Sequence, residues 1–178
     1  MAFISSIDVA VEQMLAAARE PAIFDFFVWV SKLANTSTFI VLMALIVSYL
    51  AYSRQWRNIV GLFISAIGSG AATFLLKNLI SRARPDLLAY PATGFAFPSG
   101  HATRAVAFYG FLLFILWPRL TSMWKKIALI ITALIILGIG FSRLYLGVHY
   151  LSDVVAGYLI GAFFVWLGIK ISRINLSK

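Results

Sequence analysis

Five stretches of this chain, at 33–53, 58–76, 105–118, 127–142 and 154–169, contain no charged residue. Inside a bilayer the backbone has no water to pair with, so an apolar segment that enters must satisfy its own hydrogen bonds as a helix. A crossing takes roughly 20 mostly apolar residues. The first two stretches reach that length alone; the other three reach it by taking in polar residues at one end. A soluble bundle of buried helices would need more polar surface than a chain with 62% hydrophobic and 12% charged residues supplies. The pattern predicts an all-α integral membrane bundle with five core spans. It forms a single domain over residues 1–178, with a helical core at 35–172 and N-terminal interfacial helices at 1–34.

The net charge of +9 would suit a nucleic-acid partner, but its placement argues for topology instead. Arg54 and Arg57 fall in one connection, Arg119, Lys125 and Lys126 in another, and Lys170, Arg173 and Lys178 follow the last span. If each stretch crosses once, the three clusters share a side, and none of the six acidic residues joins them. By the positive-inside rule that side is cytoplasmic. The C-terminus is then cytoplasmic, and segments 77–104 and 142–153 meet at the opposite face. No nucleic-acid partner is expected. The chain has no cysteine, which excludes disulfides and thiolate metal ligands.

At the N-terminus, Asp8 and Glu12 interrupt the apolar run and no basic leader precedes it, so no cleavable signal is expected. Phe3, Ile4, Ile7, Val11, Met14, Leu15 and Ala18 recur at helical spacing, with Asp8, Glu12 and Arg19 assigned to the other face. This predicts an amphipathic helix lying in the membrane interface. Pro21 opens a second short helix through Leu33, compatible with a re-entrant, an interfacial or a sixth spanning segment.

The unusual polar residues gather in three segments. In the first, Lys77 and Arg84 stand seven residues apart, nearly two helical turns, which would put them on one face until Pro85 ends the helix. Arg82 adds a cation there. Basic helix ends also snorkel to the interface, and this segment alone does not separate the two readings. In the second, Pro98-Ser99-Gly100-His101 reads as a helix start. Ser99 is the cap, and free amides at the dipole's positive end favour an anion. In the third, Ser142-Arg143 precede His149 and Asp153, whose spacing of four predicts one helix face and a hydrogen bond. An aspartate on one imidazole nitrogen leaves the other a directed nucleophile or base. Arg143 supplies a planar donor fork suited to phosphate. Ionisable residues at membrane depth are costly, which makes function their default reading.

These segments resemble, position for position, the three-part signature of the type 2 phosphatidic acid phosphatase superfamily: Lys77-x6-Arg84-Pro85, Pro98-Ser99-Gly100-His101 and Ser142-Arg143-x5-His149-x3-Asp153. The resemblance covers roughly 36–172, and the larger six-span members begin with a further span that the N-terminal segment here would replace. It implies a lipid phosphatase that uses no metal or other cofactor. Lys77, Arg84, Ser99, Gly100 and Arg143 would bind phosphate. His149 would form a phosphohistidine, Asp153 would orient it, and His101 would protonate the leaving oxygen. Arg82, Arg104 and Ser142 are accessory candidates; Arg104 is open to a phosphate, headgroup or snorkelling role. The expected partners are membrane lipids and a phosphorylated lipid substrate. Undecaprenyl pyrophosphate is placed slightly ahead of phosphatidate, phosphatidylglycerophosphate and lipid A, in a bacterial cytoplasmic membrane with the site facing outward. A non-catalytic lipid-binding or transport protein on the same fold is the rival reading. Residues 86–97, rich in apolar side chains, are expected to cover the site where a lipid tail enters.

Overall fold

The computed structural model describes residues 2–174, so Lys178 of the third basic cluster lies outside the described residues. Within them the chain is helical and connecting loop, with no strand. The helices are α1 (Ala2–Ala17), α2 (Pro21–Lys32), α3 (Thr36–Tyr52), α4 (Trp56–Ile80), α5 (Gly100–Arg119), α6 (Ser122–Tyr145) and α7 (Leu151–Arg173). The last four are each long and apolar enough to cross a membrane; α2 and α3, bent by 40° at a short break, make a fifth if counted as one span. The first charge-free stretch thus yields a helix of 17 residues, shorter than it promised, because Leu33 to Asn35 go into the break. The last two spans exceed their charge-free stretches by carrying Lys125, Lys126 and Arg143, or Asp153, Lys170 and Arg173, at their ends.

α7 is the helix around which the others pack. Glycines along it permit close backbone approach, the small-residue device of membrane helix pairs. A Cβ on Gly157 would lie 2.7 Å from the Ser99 carbonyl oxygen, and one on Gly161 would lie 2.7 Å from that of Thr103. Farther along, a Cβ on Gly168 would meet the Gly61 carbonyl oxygen at 2.4 Å. These contacts hold α5 and α4 against α7. Both α4 and α5 widen into a π turn, at Ile64–Gly68 and Val106–Gly110. The Ser65 hydroxyl in one donates to the Ala107 carbonyl in the other at 2.7 Å, pairing a buried acceptor. Leu50, Leu62, Phe108 and Phe111 form the core at the end away from the two histidines.

The N-terminal helix differs from its sequence reading. Asp8 and Leu15 are buried, with Val11 and Glu12 partly so, while Ile4, Ile7 and Met14 face outward. The expected apolar face is therefore divided, and the acidic positions turn toward the protein. The reason is tertiary: the protein offers Asp8 and Glu12 hydrogen-bond donors, and lipid offers none. Arg19 fastens the helix end by donating to the Tyr145 and Leu87 carbonyls at 3.0 and 2.8 Å.

Candidate active site

The start of α5, the end of α4, the last turn of α6 and the residues leading into α7 converge at one end of the bundle. A cavity of roughly 310 Å³ there is lined by Lys77, Arg84, Gly100, His101, Arg143 and His149, with Asn35 and Tyr90 to Thr93 completing it. Asn35, from the break before α3, thus stands among the three segments that the sequence singled out.

Lys77 and Arg84 do not share a helix face. α4 ends at Ile80, and Ser81 adopts the left-handed conformation with φ 47°, so the chain turns before Arg84. Both reach the cavity because that turn folds the loop back. Lys77 Nζ donates to the Phe95 carbonyl. Arg84 donates to the carbonyls of Thr93, Gly94 and Val148 at 2.7, 3.0 and 2.7 Å. Three of its five N–H donors are thus engaged with backbone, which fixes the fork and leaves two for a ligand.

Ser99 occupies the N-cap position of α5, but its hydroxyl makes no capping bond. Its amide donates to the Asp153 carbonyl at 2.9 Å, while its Oγ is buried without a hydrogen-bond partner. A buried, unpaired hydroxyl is costly and is ready for an incoming oxygen. The first-turn amides of α5 likewise have no acceptor within the helix. His101 lies in that turn, and its Nε2 meets Asn35 Oδ1 at 2.9 Å. Asn35 precedes α3 as its N-cap yet, like Ser99, gives that helix no side-chain cap. Its side chain serves the histidine instead.

His149 and Asp153 are close, but not by sharing a helix face. His149 lies before α7; Asp153 is in that helix's first turn and folds its carboxylate back over the start. Asp153 Oδ2 accepts the Tyr150 amide at 2.9 Å and stands 3.5 Å from His149 Nδ1, a long contact that acts through charge more than through a tight hydrogen bond. His149 Nδ1 has no other partner. Burial lowers the His149 pKa to about 4; Asp153 pulls it upward, and the Arg143 and Arg84 cations push it down. The ring is neutral at neutral pH.

Arg143 is buried and donates to the Ser31 hydroxyl from α2, while its Nε is unpaired. Ser142 turns into its own helix, donating to the Ile139 carbonyl at 2.6 Å. Arg82 points away from the cavity and bridges Asp8 and Asp153, at 2.7 Å to each. Arg104 donates to the Ala34 carbonyl and faces a second cavity, of roughly 570 Å³, lined mainly by Phe39, Ile67, Phe74 and small residues of α4. The two cavities share Lys77 and Gly100. Sequence reasoning missed Asn35, Ser31 and Asp8. A signal existed for Asp8, since 8, 11, 12, 15 and 19 follow helical spacing as one face.

Taken together, the bundle is a membrane-embedded phosphatase fold. It is similar over its whole length to the crystal structure of a transmembrane PAP2-type phosphatidylglycerolphosphate phosphatase from Bacillus subtilis, with a TM-score of 0.89 at 27% identity and 90% of that chain covered. The model of the PAP2 superfamily matches residues 58–176, and the chain belongs to that superfamily. It is accordingly a lipid phosphatase by family. Phosphatidylglycerophosphatase B of Bacillus subtilis is 29% identical over 92% of this chain and 82% of its own length. An undecaprenyl-diphosphatase of Sulfolobus acidocaldarius is 28% identical over 85% of this chain and 71% of its own. A lipid A 1-phosphatase of Rhizobium johnstonii is 37% identical over 58% of this chain, which spans only 43% of that protein.

Proposed function

We propose that this protein hydrolyses a lipid phosphate monoester, of the phosphatidylglycerophosphate class, at the extracytoplasmic face through a phosphohistidine. The observation that carries this reading is the pair of adjoining cavities, one cationic and one apolar, meeting at Lys77 and Gly100. The phosphate occupies the first and an acyl chain the second. Leu87, Leu88 and Phe95 on the loop beside the cavities are partly exposed and supply apolar surface at the membrane boundary.

His149 Nε2, the nitrogen away from Asp153, attacks phosphorus in line with the lipid oxygen. The P–O bond breaks as the N–P bond forms, and His101 donates a proton to the departing lipid alcohol. Water then attacks the phosphohistidine, His101 takes up its proton, and inorganic phosphate leaves. Phosphoryl transfer needs mostly positioning and charge around the equatorial oxygens. Lys77, Arg84 and Arg143 supply the charge, and Ser99 with the α5 amides supplies donors. The basic clusters at the far ends of the spans support the extracytoplasmic orientation.

Phosphate release by the purified full chain in detergent tests this. Phosphatidylglycerophosphate, phosphatidate and a polyprenyl diphosphate are compared with water-soluble glycerol phosphate, each with and without EDTA. Binding the tail in the apolar cavity should give the lipids a kcat/KM at least about 10²-fold above the soluble ester, since remote binding energy aids the reacting centre. Activity should persist in EDTA. Equal turnover of soluble and lipid esters, or activity lost in EDTA and restored by magnesium, would overturn the reading. Preference for the diphosphate would move the substrate to the polyprenyl class.

A further inference from the structure

Asp8 lies in the middle of an otherwise mostly apolar N-terminal helix, 144 residues before the Ser152 that it contacts, and is only 2% exposed. A carboxylate buried in that position is expensive unless it is fully paired. Asp8 Oδ1 accepts the Ser152 amide at 2.9 Å. Its Oδ2 accepts the Ser152 hydroxyl at 2.6 Å and Arg82 Nη2 at 2.7 Å. Burial alone would raise its pKa, but the Arg82 and Ser152 hydrogen bonds outweigh this and leave the carboxyl below its ordinary value.

The same arginine reaches the reaction centre. Arg82 Nη1 donates to Asp153 Oδ1 at 2.7 Å, and its guanidinium lies 4.3 Å from the Tyr150 ring centroid. Asp153 is fully buried, and its other oxygen faces His149. One cation therefore lies between two carboxylates, and that arrangement has an electrostatic consequence. Paired with Asp153 alone, Arg82 would neutralise the negative charge that His149 needs as its ring becomes cationic on attacking phosphorus. Asp8 shares the guanidinium charge, so Asp153 keeps a net anionic character toward the imidazole. Asp8 also fixes the plane of the guanidinium, and with it the rotamer of Asp153.

We propose that Asp8 is a positioning residue of the reaction: acting through Arg82, it sets the charge and orientation of Asp153 behind His149. The N-terminal helix is then part of the catalytic apparatus. This inference rests on the assignment of His149 as nucleophile and Asp153 as its partner.

The test measures kcat and KM of the full chain in detergent on a lipid monophosphate, with thermal melting alongside. Asp8→Asn keeps shape and removes charge. It should lower kcat about tenfold, by analogy with the low end of what the outer partners of metal-bound histidines cost when removed, and leave KM nearly unchanged, since Asp8 does not line the phosphate cavity. Removing a purely structural anchor would instead lower the melting point and leave the kcat of the folded fraction intact. Because Asp8 acts through Arg82, the double variant Asp8→Asn/Arg82→Gln should be no slower than Arg82→Gln alone. If Asp8→Asn does not fold, Arg82→Lys decides: one ammonium cannot span both carboxylates, so kcat should again fall. Unchanged kcat in Asp8→Asn, losses that multiply in the double variant, or a wild-type kcat in Arg82→Lys would each overturn the proposal. His149→Ala separates the two levels. If it keeps turning over, the assignment of the nucleophile fails. If it is inactive while Asp8→Asn is as fast as wild type, only the role of Asp8 fails.

Discussion

Burial keeps the His149 imidazole neutral down to about pH 4, with Arg143 and Arg84 adding to the effect and Asp153 opposing it. The ordinary histidine value is near 6.5. Between these two values the unfolded chain binds the proton and the folded one does not. His149 therefore contributes stability that is fully present above pH 6.5 and is lost as the pH falls toward 4. Activity follows the same group. Once titration of the substrate phosphate near pH 6 is allowed for, kcat/KM should show no loss between pH 7 and 5 and should fall only below that; an acid limb centred near 6.5 would contradict it. His101 calls for a different measurement, because its proposed work depends on the leaving group. With a lipid alcohol leaving, His101→Ala should cost on the order of 10²–10⁴-fold, and far less with nitrophenyl phosphate, whose phenolate needs no proton. Asn35 holds the His101 ring at 2.9 Å. Asn35→Ala should therefore show the same leaving-group dependence in weaker form, and an equal loss on both esters would remove His101 from the acid role.

The start of α5 is held where α7 lacks side chains. Gly157→Ala would put a methyl group 2.7 Å from the Ser99 carbonyl and 3.0 Å from the Ala102 Cβ, atoms that cannot swing aside. The expected cost is about 1–3 kcal/mol, together with reduced turnover, because Ser99 and His101 move with that helix end. At Gly70 a Cβ meets nothing within 4 Å, so Gly70→Ala should melt like wild type or slightly higher. Detergent melting curves check both, and a wild-type melt for Gly157→Ala would mean that the contact yields. The helices were readable from charge-free stretches, and the three polar segments from their chemistry. Their geometry was not readable. Spacings of seven and four suggested shared helix faces, yet Lys77 reaches Arg84 across the left-handed Ser81, and Asp153 reaches His149 by folding back over a helix start. Asn35 and Ser31 enter the site because α2 and α3 break beside α5, a tertiary event with no local marker. The inward turn of Asp8 had a periodic signal, which its charge obscured.

The clusters at Arg54 and Arg57, at Arg119 to Lys126, and at Lys170 and Arg173 lie at the ends of the spans opposite the histidines. Arg54 and Arg57 line a cavity with Ser172, beside the end of α7, and Arg119, Lys125 and Lys126 flank the connection from α5 to α6. This arrangement predicts which face of the membrane sees substrate. Single cysteines introduced into this cysteine-free chain should react with an impermeant reagent in intact cells at position 93 and not at position 122; the reverse pattern would invert the orientation. The central claim is that a protein histidine takes the phosphoryl group without metal. Rapid quench of the full chain with ³²P-labelled lipid phosphate in EDTA measures this directly. The account predicts an acid-labile, base-stable phosphoenzyme that forms before steady state, maps to the peptide carrying His149, and is absent from His149→Ala. Turnover without a phosphoenzyme, or label that persists in His149→Ala, would contradict it.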